Sequence, residues 1–265
     1  MSDFTLPMIS GYEAIGASTA ITTSTANTKT AYTQLVASTS RQYEGLLVML
    51  GYSSAAAWWL FDIAIGAAGS EQVILPNLMH TPRADYGGIS TMFVPITVPA
   101  GVRVAVRAQA SGGAKSASID VKGSFSGQSG MRGYANATDY GTTTATSKGT
   151  QVDPGGTVST KGAYAQLTAS CAQTRCVLLN VGLDDVTNLY AGWKIDIAVG
   201  GAGSEQIVIP DIQGGVRNTT TTQYGPLSYF IPLSISAGQR IAARCSCSDN
   251  VNPGRMLTIN MIGLS

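Results

Sequence analysis

Charge is scarce in this 265-residue chain: Asp, Glu, Lys and Arg make up 12% of it, against roughly 25% in an average soluble protein. The formal net charge is +1, and lysine and arginine form no cluster anywhere in the sequence. Proteins that bind nucleic acid rely on basic patches that displace counterions from phosphates. We therefore expect no nucleic-acid partner. Hydrophobic residues reach 44%, which is enough apolar side chain to build a core.

Long apolar runs are also missing. No stretch approaches the ~20 consecutive apolar residues that cross a bilayer, so the sequence predicts no membrane span. The first residues, MSDFTLP, include neither a basic segment nor an apolar one, and we expect no signal peptide and synthesis in a cytoplasm.

Catalytic and metal-binding motifs are absent as well. The chain has one histidine, His80, which the sequence places in a loop after Pro76. A Ser-His-Asp triad needs a base held beside a nucleophile, and nothing around His80 predicts one. No zinc-protease, calcium-loop, Walker or dinucleotide-binding motif occurs. These absences favour a protein that is not an enzyme and has no metal and no cofactor.

The most informative feature that is present is an internal repeat. Residues 59–76 read WLFDIAIGAAGSEQVILP and residues 193–210 read WKIDIAVGGAGSEQIVIP, with eleven of eighteen positions identical. The match continues upstream, in 31–38 and 163–170, and downstream, in 93–108 and 230–245. Such self-similarity predicts two copies of one fold.

Each copy shows the period-2 alternation of β-strands. Segments 43–51, 58–66, 70–76, 91–97, 101–110 and 116–125 are predicted strands, separated by glycine-rich turns. No run of twelve residues has helical spacing. The expected fold class is all-β, with two tandem antiparallel β-sandwich (jelly-roll-like) domains.

The predicted domains are residues 31–128 and 163–265. Residues 1–30 and 129–162 are rich in Ser, Thr and Gly, and we interpret them as an N-terminal extended arm and a linker or second arm. Two alternatives stay open: flexible segments, or arms that add strands to neighbouring subunits.

Four charged positions recur in both copies. A hairpin with its loop at 66–69 would place Ala64 opposite Glu71 and Asp62 opposite Val73, with Asp62 and Glu71 about 7–8 Å apart. Glycosidases use carboxylate pairs at similar separations. Recurrence in both copies instead favours an ion-pair or loop-bracing network; an ion or sugar site and catalysis are the alternatives. The positions are Asp62, Glu71, Arg103 and Arg107 in the first copy and Asp196, Glu205, Arg240 and Arg244 in the second.

Tryptophans and cysteines complete the candidate residues. Trp59 and Trp193 are predicted core residues, and Trp58, which points the other way, is the candidate for a surface contact. The cysteines are Cys171, Cys176, Cys245 and Cys247, all in the second copy. Three interpretations are open: buried free thiols, one or two disulfides among the four cysteines, or a metal site. The spacing of the cysteines does not match the common zinc sites.

The repeated blocks W-x-x-D-I-A-x-G-x-A-G-S-E-Q and I-P-x-x-x-x-A-G-x-R resemble segments of tailed-phage structural proteins. The resemblance covers about half of the chain and implies a role in the virion. Together with the low charge, it leads us to expect a homo-oligomer on the particle exterior, as a head decoration, head fibre or tail component, in contact with other virion proteins. The alternatives are a carbohydrate-binding adhesin that contacts a host-surface glycan and a polysaccharide-degrading enzyme.

Overall fold

A computed structural model describes residues 11–53, 57–80, 89–126, 133–142, 147–183, 189–218, 227–249 and 256–265. These residues form seventeen β-strands and no helix, so the predicted all-β class is confirmed. None of the described residues belongs to a helix long and apolar enough to cross a membrane. The predicted boundary between residues 128 and 129 lies outside the described part.

The strands are β1 Gly11–Thr22, β2 Thr33–Val36, β3 Gly45–Ser53, β4 Trp59–Ile65, β5 Gln72–His80, β6 Ser90–Val94, β7 Val104–Ala110, β8 Ser116–Phe125, β9 Ala137–Tyr140, β10 Thr150–Val152, β11 Ala165–Thr168, β12 Cys176–Leu183, β13 Leu189–Val199, β14 Gln206–Asn218, β15 Leu227–Ile231, β16 Ile241–Cys247 and β17 Leu257–Leu264.

These strands pair into four antiparallel sheets. Sheet A has the order β1-β8-β3-β6 and sheet B the order β2-β7-β4-β5. Sheet C has the order β10-β17-β12-β15, with β9 also paired to β17, and sheet D the order β11-β16-β13-β14. If β10 to β17 are renumbered from one to eight, sheet C has the order 1-8-3-6 and sheet D the order 2-7-4-5. These are the strand orders of sheets A and B. Two four-stranded sheets connected in this order form the eight-stranded jelly roll.

Alternation along the strands puts one face of each sheet into a core. In the first core, Val48 of β3 in sheet A belongs to the same apolar cluster as Phe61 of β4 in sheet B. In the second, Leu179 of β12 in sheet C clusters with Ile195 and Ile197 of β13 in sheet D. The predicted strand 101–110 corresponds to β7, whose alternate residues Val104, Val106 and Ala108 belong to the first core. In β16, the alternate residues Ile241, Ala243 and Cys245 belong to the second core.

The loop sequence that recurs between β4 and β5 and between β13 and β14 reflects backbone geometry. Gly66 and Gly69 have φ values of +114° and +84°, and their counterparts Gly200 and Gly203 have +108° and +83°. Side chains with a Cβ rarely adopt this left-handed region, so glycine is required at both loop positions in both copies.

The interpretation of residues 1–30 as an arm is wrong for residues 11–22. These form β1, which pairs with β8 from Gly11↔Phe125 to Thr22↔Ser116, and which buries Ile15 and Ile21. The segment 129–162 likewise contributes β9 and β10, which both pair with β17. Both segments therefore complete sheets of their own chain.

The two central strands of sheet C, β12 and β17, have both faces covered. All eight residues of β17 are buried, and the cluster that fills the first core extends to Cys176, Leu178, Ile262 and Leu264 of sheet C. A methyl group on Gly182 of β12 would lie 3.0 Å from Sδ of Met79 on β5, so the two halves approach closely here. A buried interface thus joins sheets B and C.

Candidate functional site

The buried carboxylate of Asp62 binds three groups from different elements. Its Oδ1 accepts hydrogen bonds from Nζ of Lys29 at 2.8 Å and from the N–H of Asn77 at 2.9 Å, and its Oδ2 accepts one from Nε of Arg107 at 2.8 Å. The ring of Tyr32 lies 4.8 Å from the Arg107 guanidinium carbon. Asp62 is 3% exposed, so this network is a buried brace on the outer face of sheet B.

The second copy reproduces this network. Asp196 accepts from Nζ of Lys161 at 2.7 Å, from the N–H of Asp211 at 3.0 Å and from Nε of Arg244 at 2.9 Å. Burial alone would raise the pKa of Asp196, but the three hydrogen bonds outweigh it and lower the pKa. Asn77 and Asp211 occupy β-bulges with φ of +50° and +47°, and the carboxylates hold these bulges in place.

Glu71 and Glu205 brace the loops that follow β4 and β13. Oε1 of Glu71 lies 2.9 Å from Arg103, and its Oε2 accepts from the N–H of Gly69 at 2.9 Å. The corresponding distances from Glu205 to Arg240 and Gly203 are 3.0 Å and 2.9 Å. The N–H of Glu71 itself, the Arg103 guanidinium and the N–H of Gly69 lower the pKa of Glu71, and the same kinds of group lower that of Glu205.

The expected pairing of Asp62 and Glu71 is wrong. Ala64 pairs with Val73, not with Glu71, because the loop runs from residue 66 to 71 and two register shifts interrupt the β4–β5 ladder. Asp62 and Glu71 bind separate arginines, Arg107 and Arg103, on β7 and at its entry. The geometry therefore does not form a paired-carboxylate site.

The prediction that Trp58 makes a surface contact is also wrong. Trp58 is 7% exposed and clusters with Leu60 and Met79 on the outer face of sheet B, where Nζ of Lys148 lies 5.9 Å from its ring centre. Alternation correctly points Trp58 away from the first core, but the second half of the chain covers it there. Trp59 and Trp193, at 0% and 3% exposure, are core residues as predicted.

None of the four cysteines, all of which lie in described strands and loops, is in a disulfide. The disulfide reading is thus wrong. Cys171, Cys245 and Cys247 line the second core, whereas Cys176 faces the first. Burial raises the pKa of Cys176 to about 11 and that of Cys245 to about 12, so both thiols stay protonated at neutral pH. Among the described residues no group of three or more His, Cys, Asp or Glu is arranged to hold a metal ion.

His80 is the last residue of β5 and does not lie in a loop, because β5 continues past Pro76. It is 1% exposed; Nδ1 lies 2.8 Å from Oγ of Ser90, and Nε2 lies 3.2 Å from the carbonyl of Gly51. Burial lowers the pKa of His80 to about 4, so the imidazole is neutral at physiological pH. Its two partners fix it as a packed structural residue.

A chain of polar side chains crosses the interface between sheets B and C. Lys29 donates to Oδ1 of Asn77 at 2.9 Å, and Nδ2 of Asn77 donates to Asp139 at 2.8 Å. Asn260 donates to Asp139 from the other side, and Nδ2 of Asn180 donates to Asn260 at 3.1 Å. No sequence pattern predicts this network, because its members come from five separate strands and loops and share no motif.

Asp139 is the titratable centre of that network. Burial raises the pKa of Asp139 to about 6, against the opposing effect of hydrogen bonds from Asn77, Thr142 and Asn260. The nearest cation, Lys29, reaches it through Asn77 and not by direct contact. The carboxylate is therefore held by neutral donors at the junction of the two halves.

The outer face of sheet D carries a cavity of about 220 Å³. Three of its side chains form one cross-strand row: Gln213 of β14 pairs with Lys194 of β13, which pairs with Ser246 of β16. The remaining lining residues are Ser159, Gly192, Trp193, Gly214, Cys247 and Ser248. The lining contains hydroxyl, amide and ammonium groups and no carboxylate.

Neither a protein-family model nor a curated protein sequence matches the chain.

Proposed function

We propose that this chain is a non-enzymatic structural protein on the exterior of a tailed-phage particle, working through contacts with copies of itself and with other virion proteins. The observation that carries the proposal is the repeated jelly roll, whose two copies are joined through a buried interface into one block. Jelly rolls are frequent in viral capsid and lectin domains. The low charge suits a protein whose surface is partly covered by neighbours.

The repeated carboxylates support a structural role over catalysis. A glycosidase needs one carboxylic acid whose pKa is raised so that it can protonate the leaving group. The pKa values of Glu71 and Glu205 are lowered, and each residue is bound to an arginine. The second copy repeats the same contacts, as expected of bracing that both copies of the fold require.

Exposed apolar residues on an edge strand supply a contact surface for assembly. β15 ends the order of sheet C, and two of its residues, Leu227 and Phe230, are 41% and 42% exposed. Edge strands present unpaired N–H and C=O groups that pair readily with another chain. Leu227 and Phe230 are three residues apart and lie on opposite faces of β15, so a neighbouring subunit would have to wrap around this edge of sheet C to bury both side chains.

Light scattering of the purified full-length chain tests assembly. We expect a single symmetric oligomer, and we expect the double substitution Leu227→Ser and Phe230→Ser to lower its mass. The matched control is Val158→Ser, since Val158 is 45% exposed but precedes β11 in a loop. A monomer at all concentrations would contradict the assembly role.

Immunogold electron microscopy of phage particles from a producing culture tests the location. Regularly spaced label on heads or tails is the expected result. Particles that carry no label while the protein accumulates free in the lysate would remove the virion role.

A carbohydrate-binding adhesin is the second candidate. The cavity on sheet D, lined by hydroxyl and amide groups, is the observation that favours it. This role is compatible with a position on the particle exterior, where the cavity would face a host surface.

A further inference from the structure

The two copies of the fold differ sharply at one set of equivalent positions. In the first copy the cross-strand row is Met79–Leu60–Gln109, and it is buried under the second half of the chain. In the second copy the equivalent row is Gln213–Lys194–Ser246. Because the strand pairing at these positions is the same in both copies, the different side chains indicate that the outer faces of sheets B and D have different functions.

The cavity arises from one further difference. Gly192 stands where the first copy has Trp58, immediately before the paired tryptophans Trp193 and Trp59. The large indole of Trp58 fills the outer face of sheet B, whereas Gly192 leaves that space open on sheet D. The cavity of about 220 Å³ is thus the place that a tryptophan occupies in the other copy.

The walls of this cavity are rich in hydrogen-bond donors. Ser246 is 4% exposed and lines the cavity, so its hydroxyl lies at the inner wall. Lys194, Gln213 and Ser159 are exposed side chains around the same space. The ammonium of Lys194, the amide of Gln213 and the two hydroxyls can all donate hydrogen bonds to oxygen acceptors on a ligand.

The charge balance selects the kind of ligand. The nearby Asp196 is already bound by Lys161 and Arg244, and Lys161 also lies 3.0 Å from Asp211. With these groups paired, the ammonium of Lys194 is the charge that the cavity lining itself supplies. The site therefore favours a ligand with several oxygen acceptors and one negative charge.

We propose that this cavity binds an acidic sugar residue, with its carboxylate at Lys194 and its hydroxyls at Ser246, Gln213 and Ser159. The binding function is separate from the assembly role proposed above and does not depend on it. One small cavity with a few hydrogen bonds gives weak affinity for a single sugar, with a Kd on the order of 1 mM.

Titration of the full-length protein with D-glucuronate, followed by NMR or calorimetry, tests the proposal. D-glucose and inorganic sulfate are the comparison probes. Glucuronate is expected to bind at least tenfold more tightly than either, since glucose lacks the charge and sulfate lacks the hydroxyls. No binding of glucuronate, or binding of sulfate with equal affinity, would show an unspecific anion contact and overturn the proposal.

Substitutions locate the site. Gly192→Trp restores the residue of the first copy and is expected to abolish binding; Lys194→Ala is expected to weaken it at least tenfold. Gln213→Ala, at an exposed position, provides a second variant that should fold normally and should weaken binding severalfold. The matched control is Lys122→Ala on the outer face of sheet A, which should leave the affinity unchanged.

Two further outcomes would also reject the site. Glucuronate affinity that is unchanged in folded Gly192→Trp and Gln213→Ala would place the binding elsewhere. Absence of sugar binding, together with a change of oligomer mass in Gly192→Trp, would identify the cavity as a contact between protein subunits instead.

Discussion

The backbone N–H of Asn77 donates a hydrogen bond of 2.9 Å to Oδ1 of Asp62, across a bulge in the β4–β5 ladder. The same bond, at 3.0 Å, joins Asp211 to Asp196 in the second copy. A bulge leaves backbone groups without ladder partners, and these carboxylates supply the partner at one of them. The recurring aspartates therefore shape the backbone as well as pairing with cations.

Replacement of Asp62 by alanine is expected to destabilise the fold by about 3 kcal/mol, because it leaves Lys29, Arg107 and a backbone N–H without their acceptor. This is the lower end of the range for a buried pair, since Arg107 remains about a third exposed. Chemical denaturation measures the change. The control is Glu13→Ala, which breaks the exposed Glu13–Arg41 pair and should cost less than about 1 kcal/mol. Equal costs for the two variants would contradict the bracing role.

The carboxyl of Asp139 makes stability depend on pH in a defined direction. Its pKa is raised to about 6 in the folded chain from an ordinary value of 3.8, so the folded state binds the proton more tightly than the unfolded state does. The contribution of Asp139 is most favourable below pH 3.8 and falls by about 3 kcal/mol as the pH rises through 6. Denaturation of the wild type and of Asp139→Asn from pH 4 to 8 isolates this effect.

The difference in unfolding free energy between wild type and Asp139→Asn is the quantity to follow. It should shift in favour of the variant by about 2 kcal/mol between pH 4 and pH 7, because at pH 4 the carboxyl is already partly ionised in the unfolded chain. A difference that is constant over this range would show that Asp139 titrates normally.

The four cysteines should react with a thiol reagent only after unfolding. All four are buried, and burial raises the pKa of Cys176 and Cys245 well above neutral pH, so the thiolate that reacts is scarce in the folded chain. We expect almost no reaction with Ellman's reagent at pH 8 under native conditions and four thiols per chain in denaturant. Two or fewer thiols in the denatured, unreduced protein would restore the disulfide reading.

The alternation of apolar and polar residues predicts the strands that place every second side chain in the core between two sheets. The predicted segment 116–125 coincides with β8, and 58–66 differs by one residue at each end from β4. β1 was missed because only Ile15 and Ile21 anchor it fully among small and polar residues. Such a strand is specified by its partner β8 and not by its own pattern.

The site could be predicted only in part, for a related reason. Residue identity and recurrence pointed to Asp62 and Arg107, which the structure joins through adjacent strands. Lys29 and Lys161 lie in polar connecting segments, two residues before the matched blocks 31–38 and 163–170. Their recurrence in the shared pattern T-K-x-A-Y-x-Q-L is the signal that could have identified them. The burial of Trp58 depends on how the two halves pack, and alternation within one strand carries no information about that contact.

A reciprocal exchange between the two copies tests whether the outer faces of sheets B and D have distinct roles. Leu60 is 0% exposed at the interface, so Leu60→Lys forces an ammonium into an apolar cluster with Trp58 and Met79. We expect a loss of about 3 kcal/mol or more, or failure to fold. The equivalent Lys194→Leu changes an exposed position and should alter stability by less than about 0.5 kcal/mol. Thermal and chemical unfolding of both variants measure the contrast, and a comparable loss in Lys194→Leu would mean that the outer face of sheet D is also packed against something in the folded chain.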